Sequence, residues 1–111
     1  MHEMAVAARV VAHVAAFNEA VGSGDWDTFS GRFTEDATLT FPDLPVPAAR
    51  GRDAILAAYV ASPPDDTMVA LGATTDEETD HVEFAWSRGG TGQMWITWDG
   101  DQVAVLEVRF A

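Results

Sequence analysis

Apolar positions recur at three- and four-residue steps near the start of the chain, at Val6, Val10, Val14, Phe17 and Val21. At 3.6 residues per turn they form one stripe, so the pattern predicts an amphipathic helix over residues 4–21. Gly22 and Gly24 end it, because glycine most readily takes the left-handed turn that closes a helix. Asp25 then caps a second, short helix with Trp26, Phe29 and Phe33 on its buried side. From 37 to 41 the period changes to two, small or apolar side chains alternating with threonine, which predicts a half-buried strand. Pro42, Pro45 and Pro47 forbid its continuation and make 42–50 a stiff loop. Residues 51–61 predict a third helix with Ile55, Leu56, Tyr59 and Val60 clustered on one side, stopped by Pro63-Pro64. The remainder is strand-like. A run at 68–73 leads to the acidic turn Asp76-Glu77-Glu78, and an alternating run at 81–87 sets Val82, Phe84 and Trp86 on one face. A glycine-rich hairpin at 88–92, a strand at 93–98, the turn Asp99-Gly100 and a closing run at 103–110 complete it. Helices first and an antiparallel meander afterwards predict an α+β chain, read as a single domain over 1–111.

Composition narrows the partners. At 111 residues and 48 % hydrophobic content the chain suits one compact core. Cysteine is absent, which removes disulfides and thiolate chemistry. The net charge is −12, and all six basic residues are arginine. Such a surface repels phosphate backbones, so neither nucleic acid nor a membrane is expected as a partner. The N-terminus lacks the basic start and apolar run of a signal peptide, and no stretch reaches the roughly 20 apolar residues of a membrane span. The expectation is a soluble, cytoplasmic protein.

The order of these signals resembles the nuclear transport factor 2-like superfamily, in its SnoaL-like and ketosteroid-isomerase-like branch. The matching residues are Phe17 through Gly24-Asp25-Trp26, Phe33-Thr34-Glu35-Asp36-Ala37-Thr38-Leu39, Gly51-Arg52-Asp53-Ala54-Ile55 and the closing aromatic strands. The resemblance implies a cone-shaped roll, a strongly curved and mostly antiparallel sheet packed on three N-terminal helices around a deep pocket. Members include isomerases, polyketide cyclases and non-catalytic binding or dimerisation domains, so the site must decide the function.

In isomerase-like members a carboxylate at the end of the first strand shuttles the proton, while a helix-one tyrosine and a late-strand acid hold the oxyanion. By spacing, those positions fall on Phe41, Phe17 and Met94, none of which titrates. Ketosteroid isomerase chemistry by that apparatus is excluded. The polar candidates that remain are Tyr59, Asp43 and His13. Tyr59 stands where the resemblance places a supporting tyrosine, and reads either as a core residue or as a donor. Asp43, two residues beyond Phe41, reads as a turn former or as a general base turned inward. His13, one turn before Phe17, reads as a boundary residue or as a proton carrier. His81 belongs to the outer sheet face, and His2 lies near the terminus. No metal-ligand spacing, phosphate-cradling loop or dinucleotide fingerprint is present, so no metal and no cofactor are expected.

The cone implies a pocket wall of Phe17, Val21, Leu39, Phe41, Ile55, Val82, Phe84, Trp86, Met94, Ile96, Trp98, Leu106, Val108 and Phe110. Outward parity falls on Trp95, Thr97, Val103 and Val105, with Glu107 and Arg109 as pairing charges, which suggests a homodimer through the outer sheet face. Three functions follow. The chain is a SnoaL-like isomerase, cyclase or lyase acting on a hydrophobic polyketide- or steroid-like substrate, a binder of a hydrophobic small molecule, or a dimerisation domain with a filled interior.

Overall fold

A computed structural model describes residues 7–110. His2 and positions 4–6 of the first predicted helix lie outside the described residues.

Helix α1 spans Ala8–Ser23 and buries Val10, His13, Val14, Phe17 and Ala20. It ends at Gly24, whose φ of 78° is left-handed and whose N–H donates to the Ala20 carbonyl. Asp25 caps α2 (Trp26–Ser30), its carboxylate accepting from the Thr28 N–H and hydroxyl at 3.1 and 2.6 Å. Contrary to the spacing, Phe33 does not belong to this helix. It opens strand β1 (Phe33–Thr40) and pairs with Val103, so tertiary pairing overrides the local helical spacing. The acidic pair Glu35-Asp36 sits in an irregular stretch where the β1 register shifts. The 42–50 loop contains a two-residue strand, β2 (Ala49–Arg50), paired with Thr38 and Leu39.

Helix α3 (Arg52–Ala61) buries Ile55 and Tyr59, while Val60 is 62 % exposed. Only the Ile55–Tyr59 ridge, one turn apart, is fully turned to the core. Arg52 ties this helix to β1 by donating from Nε and Nη2 to the Phe33 carbonyl at 3.0 and 2.7 Å. The meander follows as β3 (Met68–Asp76), β4 (Thr79–Trp86), β5 (Thr91–Asp99) and β6 (Gln102–Phe110). Together the strands form a six-stranded, curved, unclosed sheet in the order β2-β1-β6-β5-β4-β3. Only β1 and β6 run parallel. The fold is the expected α+β arrangement.

The three helices lie against one face, where Leu39, Val82, Phe84, Met94, Ile96 and Leu106 are buried. Val103 corrects the parity reading. A bulge at Ala104 pairs Trp98 with Val103 and Thr97 with Val105, turning Val103 into the core, where it is fully buried. On the outer face Trp95 stacks on His81 with centroids 4.5 Å apart, and the Arg109 guanidinium lies 5.9 Å from its ring. None of the described helices is long and apolar enough to cross a membrane.

Two polar contacts pin α1 across the sheet. Arg9 pairs with Asp80 of β4 at 2.7 Å. Asn18 donates to the Met68 carbonyl and accepts from the Met68 N–H, both at 2.9 Å, which satisfies the backbone at the start of the edge strand β3. On the inner face Gly92 leaves room for Phe84. A Cβ there would lie 2.5 Å from Phe84 Cζ and 2.8 Å from the Arg109 carbonyl oxygen. Gly92→Ala is therefore expected to destabilise the fold by about 1–3 kcal/mol, the usual cost of overpacking. Thermal or urea denaturation reads it, and an unchanged midpoint would show that the Phe84 ring is not held over Gly92.

Candidate functional site

Between the helices and the sheet lies a cavity of about 700 Å3. Its floor is the inner sheet face at Leu39, Met94, Leu106 and Val108, and His13 and Phe17 of α1 close one side. The other side is α3, where Ala54, Ala57, Ala58 and Ala61 present a smooth surface beside Tyr59. The mouth is framed by Phe41, the proline-stiffened loop at Leu44, Val46, Pro47 and Ala48, and by Ser62, Pro64, Trp86 and Phe110. Phe41, Phe110 and Trp86 hold their rings nearly parallel, at 9° and 20°, with centroids 6.4 and 6.5 Å apart.

Ten of the predicted site residues share this cavity: His13, Phe17, Leu39, Phe41, Tyr59, Trp86, Met94, Leu106, Val108 and Phe110. The others do not reach it. Ile55, Val82, Phe84, Ile96 and Trp98 are packed into the solid part of the core, and Val21 is partly buried at its edge. Inward parity puts a side chain on the core face, but only the wider end of that face is left uncovered. Asp43 is also absent from the wall. The turn closed by the Leu44 N–H on the Phe41 carbonyl aims it at the end of β6, where its Oδ2 accepts from the Phe110 N–H at 2.8 Å.

The two titratable groups on the wall, His13 and Tyr59, are both neutral near pH 7. His13 is 2 % exposed, and burial pushes its imidazole down to about 4, with the charge of Arg32 acting in the same direction. Its Nδ1 has no hydrogen-bond partner among the described residues. Around it stand the rings of Phe29, Phe33 and Trp98, at centroid distances of 5.4, 6.3 and 6.3 Å. Tyr59 stacks on Trp26 at 4.7 Å and meets Phe29 edge-on at 5.4 Å. Burial pushes its phenol further up, so it stays protonated and can donate. No Asp or Glu among the described residues lines the cavity.

Sequence reasoning missed the alanine face of α3, although Ala54, Ala57, Ala58 and Ala61 have the i, i+3, i+4, i+7 spacing of one helix side. It also missed Asp80, fully buried in β4. The signal was there, since Asp80 shares the parity of Val82 and Phe84 and so had to point inward. Desolvation pushes its carboxyl up, but bonds from Arg9, Thr75 and Trp98 outweigh that and hold it below the usual carboxylate range.

A second hollow of about 440 Å3 lies over the β3–β4 turn, lined by Thr74, Asp76, Glu77, Glu78, Thr79, His81 and Trp95. It gathers exposed charge and shares no lining residue with the cavity. No three His, Asp or Glu side chains among the described residues are grouped to hold a metal.

Comparison with known proteins agrees with this architecture. No curated protein matches the sequence. Among solved structures, a proposed isomerase from Bacillus subtilis superposes with a TM-score of 0.76 at 15 % identity, over 93 % of this chain and 86 % of that one. A SnoaL-like protein from Burkholderia thailandensis gives 0.74 at 13 % identity, over 96 % and 97 % of the two chains. A proposed polyketide cyclase from Sinorhizobium meliloti gives 0.67 at 23 % identity, over 97 % and 99 %. Identities this low establish the shared fold. The family model of the SnoaL-like domain matches residues 14–110, and the chain belongs to that family.

Proposed function

We propose that this domain is a cofactor-independent enzyme of isomerase, cyclase or lyase type, acting on a hydrophobic polyketide- or steroid-like molecule. The observation that carries the reading is that a neutral imidazole and a protonated phenol line one largely apolar cavity. Its volume of about 700 Å3 suits a small polycyclic ligand. The neighbours described as a proposed isomerase and a proposed polyketide cyclase support the same reading at the level of fold.

The chemistry follows from the two groups. His13 is unprotonated near neutral pH but, with its imidazole pushed down to about 4, is a weak base. It therefore takes a proton only from a substrate position acidified by the Tyr59 bond to the neighbouring oxygen. Its conjugate acid is strong, so the proton passes back to another substrate atom without lingering. Tyr59 donates to the substrate oxygen on which charge develops, and a dry site strengthens that bond as the charge grows. The apolar walls hold a flexible substrate folded and exclude water. One observation favours a second reading, a non-catalytic binder: the cavity carries no carboxylate among the described residues. In either reading the proposed partner is a second copy across the outer sheet face, where Val105 is 39 % exposed.

Proton exchange tests the catalytic reading. Wild-type protein is expected to incorporate deuterium from D2O beside the carbonyl of a bound polycyclic ketone. His13→Gln should slow this by about a hundredfold or more, and Tyr59→Phe by about ten- to a hundredfold, with binding retained. Equal exchange in all three proteins removes both assignments, and binding without exchange in the wild type leaves the binder.

Stability supplies a separate check on His13. The unfolded chain takes up a proton near pH 6.5 that the folded chain refuses until about pH 4. Stability therefore falls as pH drops through that window, by up to about 3 kcal/mol at 1.36 kcal/mol per unit, and this contribution is flat above it. His13→Leu should flatten the curve between pH 6.5 and 4 in urea denaturation. An identical slope in wild type and variant would contradict the burial of a neutral imidazole.

A further inference from the structure

His13 poses a problem of orientation. A histidine that works on a ligand ordinarily has its plane fixed by a hydrogen bond from its second ring nitrogen. Nδ1 of His13 has no such bond among the described residues, and three aromatic rings hold it instead. Phe29 and Phe33 are themselves placed by packing. Trp98 differs. It stands at 88° to the imidazole, and its Nε1 donates to Asp80 Oδ2 over 2.9 Å inside the core.

Asp80 is fully buried and receives three further bonds. Thr75 Oγ1 donates to Oδ1 at 2.6 Å, Arg9 Nε to Oδ2 at 2.7 Å, and Arg9 Nη2 to Oδ1 at 3.2 Å. Arg9 enters a second time, because its guanidinium lies 5.3 Å from the centre of the Trp98 ring. It also stands four residues before His13 on α1, one turn away on the same side of the helix. The carboxylate thus fixes both the indole beside His13 and the helical turn beneath it. Asp80 itself is not part of the cavity wall.

We infer that Asp80 is a positioning residue for His13, setting through Trp98 and Arg9 the plane in which the imidazole meets the cavity. The inference rests on the reading of His13 as the working group and deepens it. Desolvation offsets much of the attraction in a buried ion pair. A carboxylate placed here therefore contributes more by fixing its neighbours than by net stabilisation. The charge that acts directly on the ring is that of Arg32.

The test is a side-chain NMR titration of His13 in the wild type, Asp80→Asn and Trp98→Phe. Leu56→Ala is the destabilised control, since Leu56 is partly buried on α3, away from both the brace and the cavity wall. In the wild type the titration midpoint is low and the ring nitrogens show one tautomer. In both brace variants the midpoint should rise by about one pH unit as the looser box admits water, and the nitrogen signals should average between tautomers. Leu56→Ala should leave both unchanged. Trp98→Phe keeps an aromatic ring beside His13 while removing the bond to Asp80 and part of the contact with Arg9, so it carries the test if Asp80→Asn does not fold. A wild-type midpoint in either folded brace variant overturns the positioning role, as does an equal shift in Leu56→Ala. The readout needs no turnover, so the brace and the catalytic reading fail separately.

Discussion

Helix α1 is held across the sheet at two points, and the site depends on that placement. At one end the Arg9–Asp80 pair fastens it to β4, and at the other the Asn18 amide bonds both backbone groups of Met68 on β3. Between these pins the stripe of Val10, Val14 and Phe17 packs on the inner strands. Near the Asp80 end the helix and sheet meet over Trp98, Val82 and Ile96, and the core is solid. Towards Phe17 and Trp86 the curved sheet and α3 leave a cavity open. A narrow end filled by aromatic rings and a wide end lined by them are two results of one clamped geometry.

Electrostatics divides the molecule in the same way. The chain carries a net charge of −12, yet its cavity wall holds only uncharged groups among the described residues. Charged ligands would lose hydration there without gaining a partner, whereas a neutral ligand with one or two oxygens could meet Tyr59 and His13. Asp80, the one deeply buried carboxylate among the described residues, is kept ionised by four donor bonds and lies off the cavity.

Periodicity made most of the fold legible. The helical stripe of α1, the Asp25 cap, the proline stop after α3 and the alternation of β4 and β5 each follow from local rules that tertiary packing did not override. The failures have physical causes. Phe33 obeys helical spacing but is captured by pairing with Val103, and Ala104 inserts a bulge that turns Val103 inward. The site was legible by residue type more than by location. Parity identified inward side chains correctly at Phe84 and Ile96, but could not tell a filled stretch of core from an open one, because that depends on where the helices sit. Asp43 was legible as a loop carboxylate, while its partner, a backbone N–H at the far end of the chain, has no sequence signature.

The central claim is that the wide end of this fold is an open, uncharged cavity able to hold an apolar ligand. It is tested most directly by titrating the protein with a neutral, environment-sensitive naphthalene dye, alongside Ala58→Trp, which fills the cavity from the exposed side of α3 without removing core packing. The account predicts saturable one-to-one binding to the wild type and a loss of at least about tenfold in affinity for the variant. No binding to the folded wild type, or equal affinity in the two proteins, would contradict it.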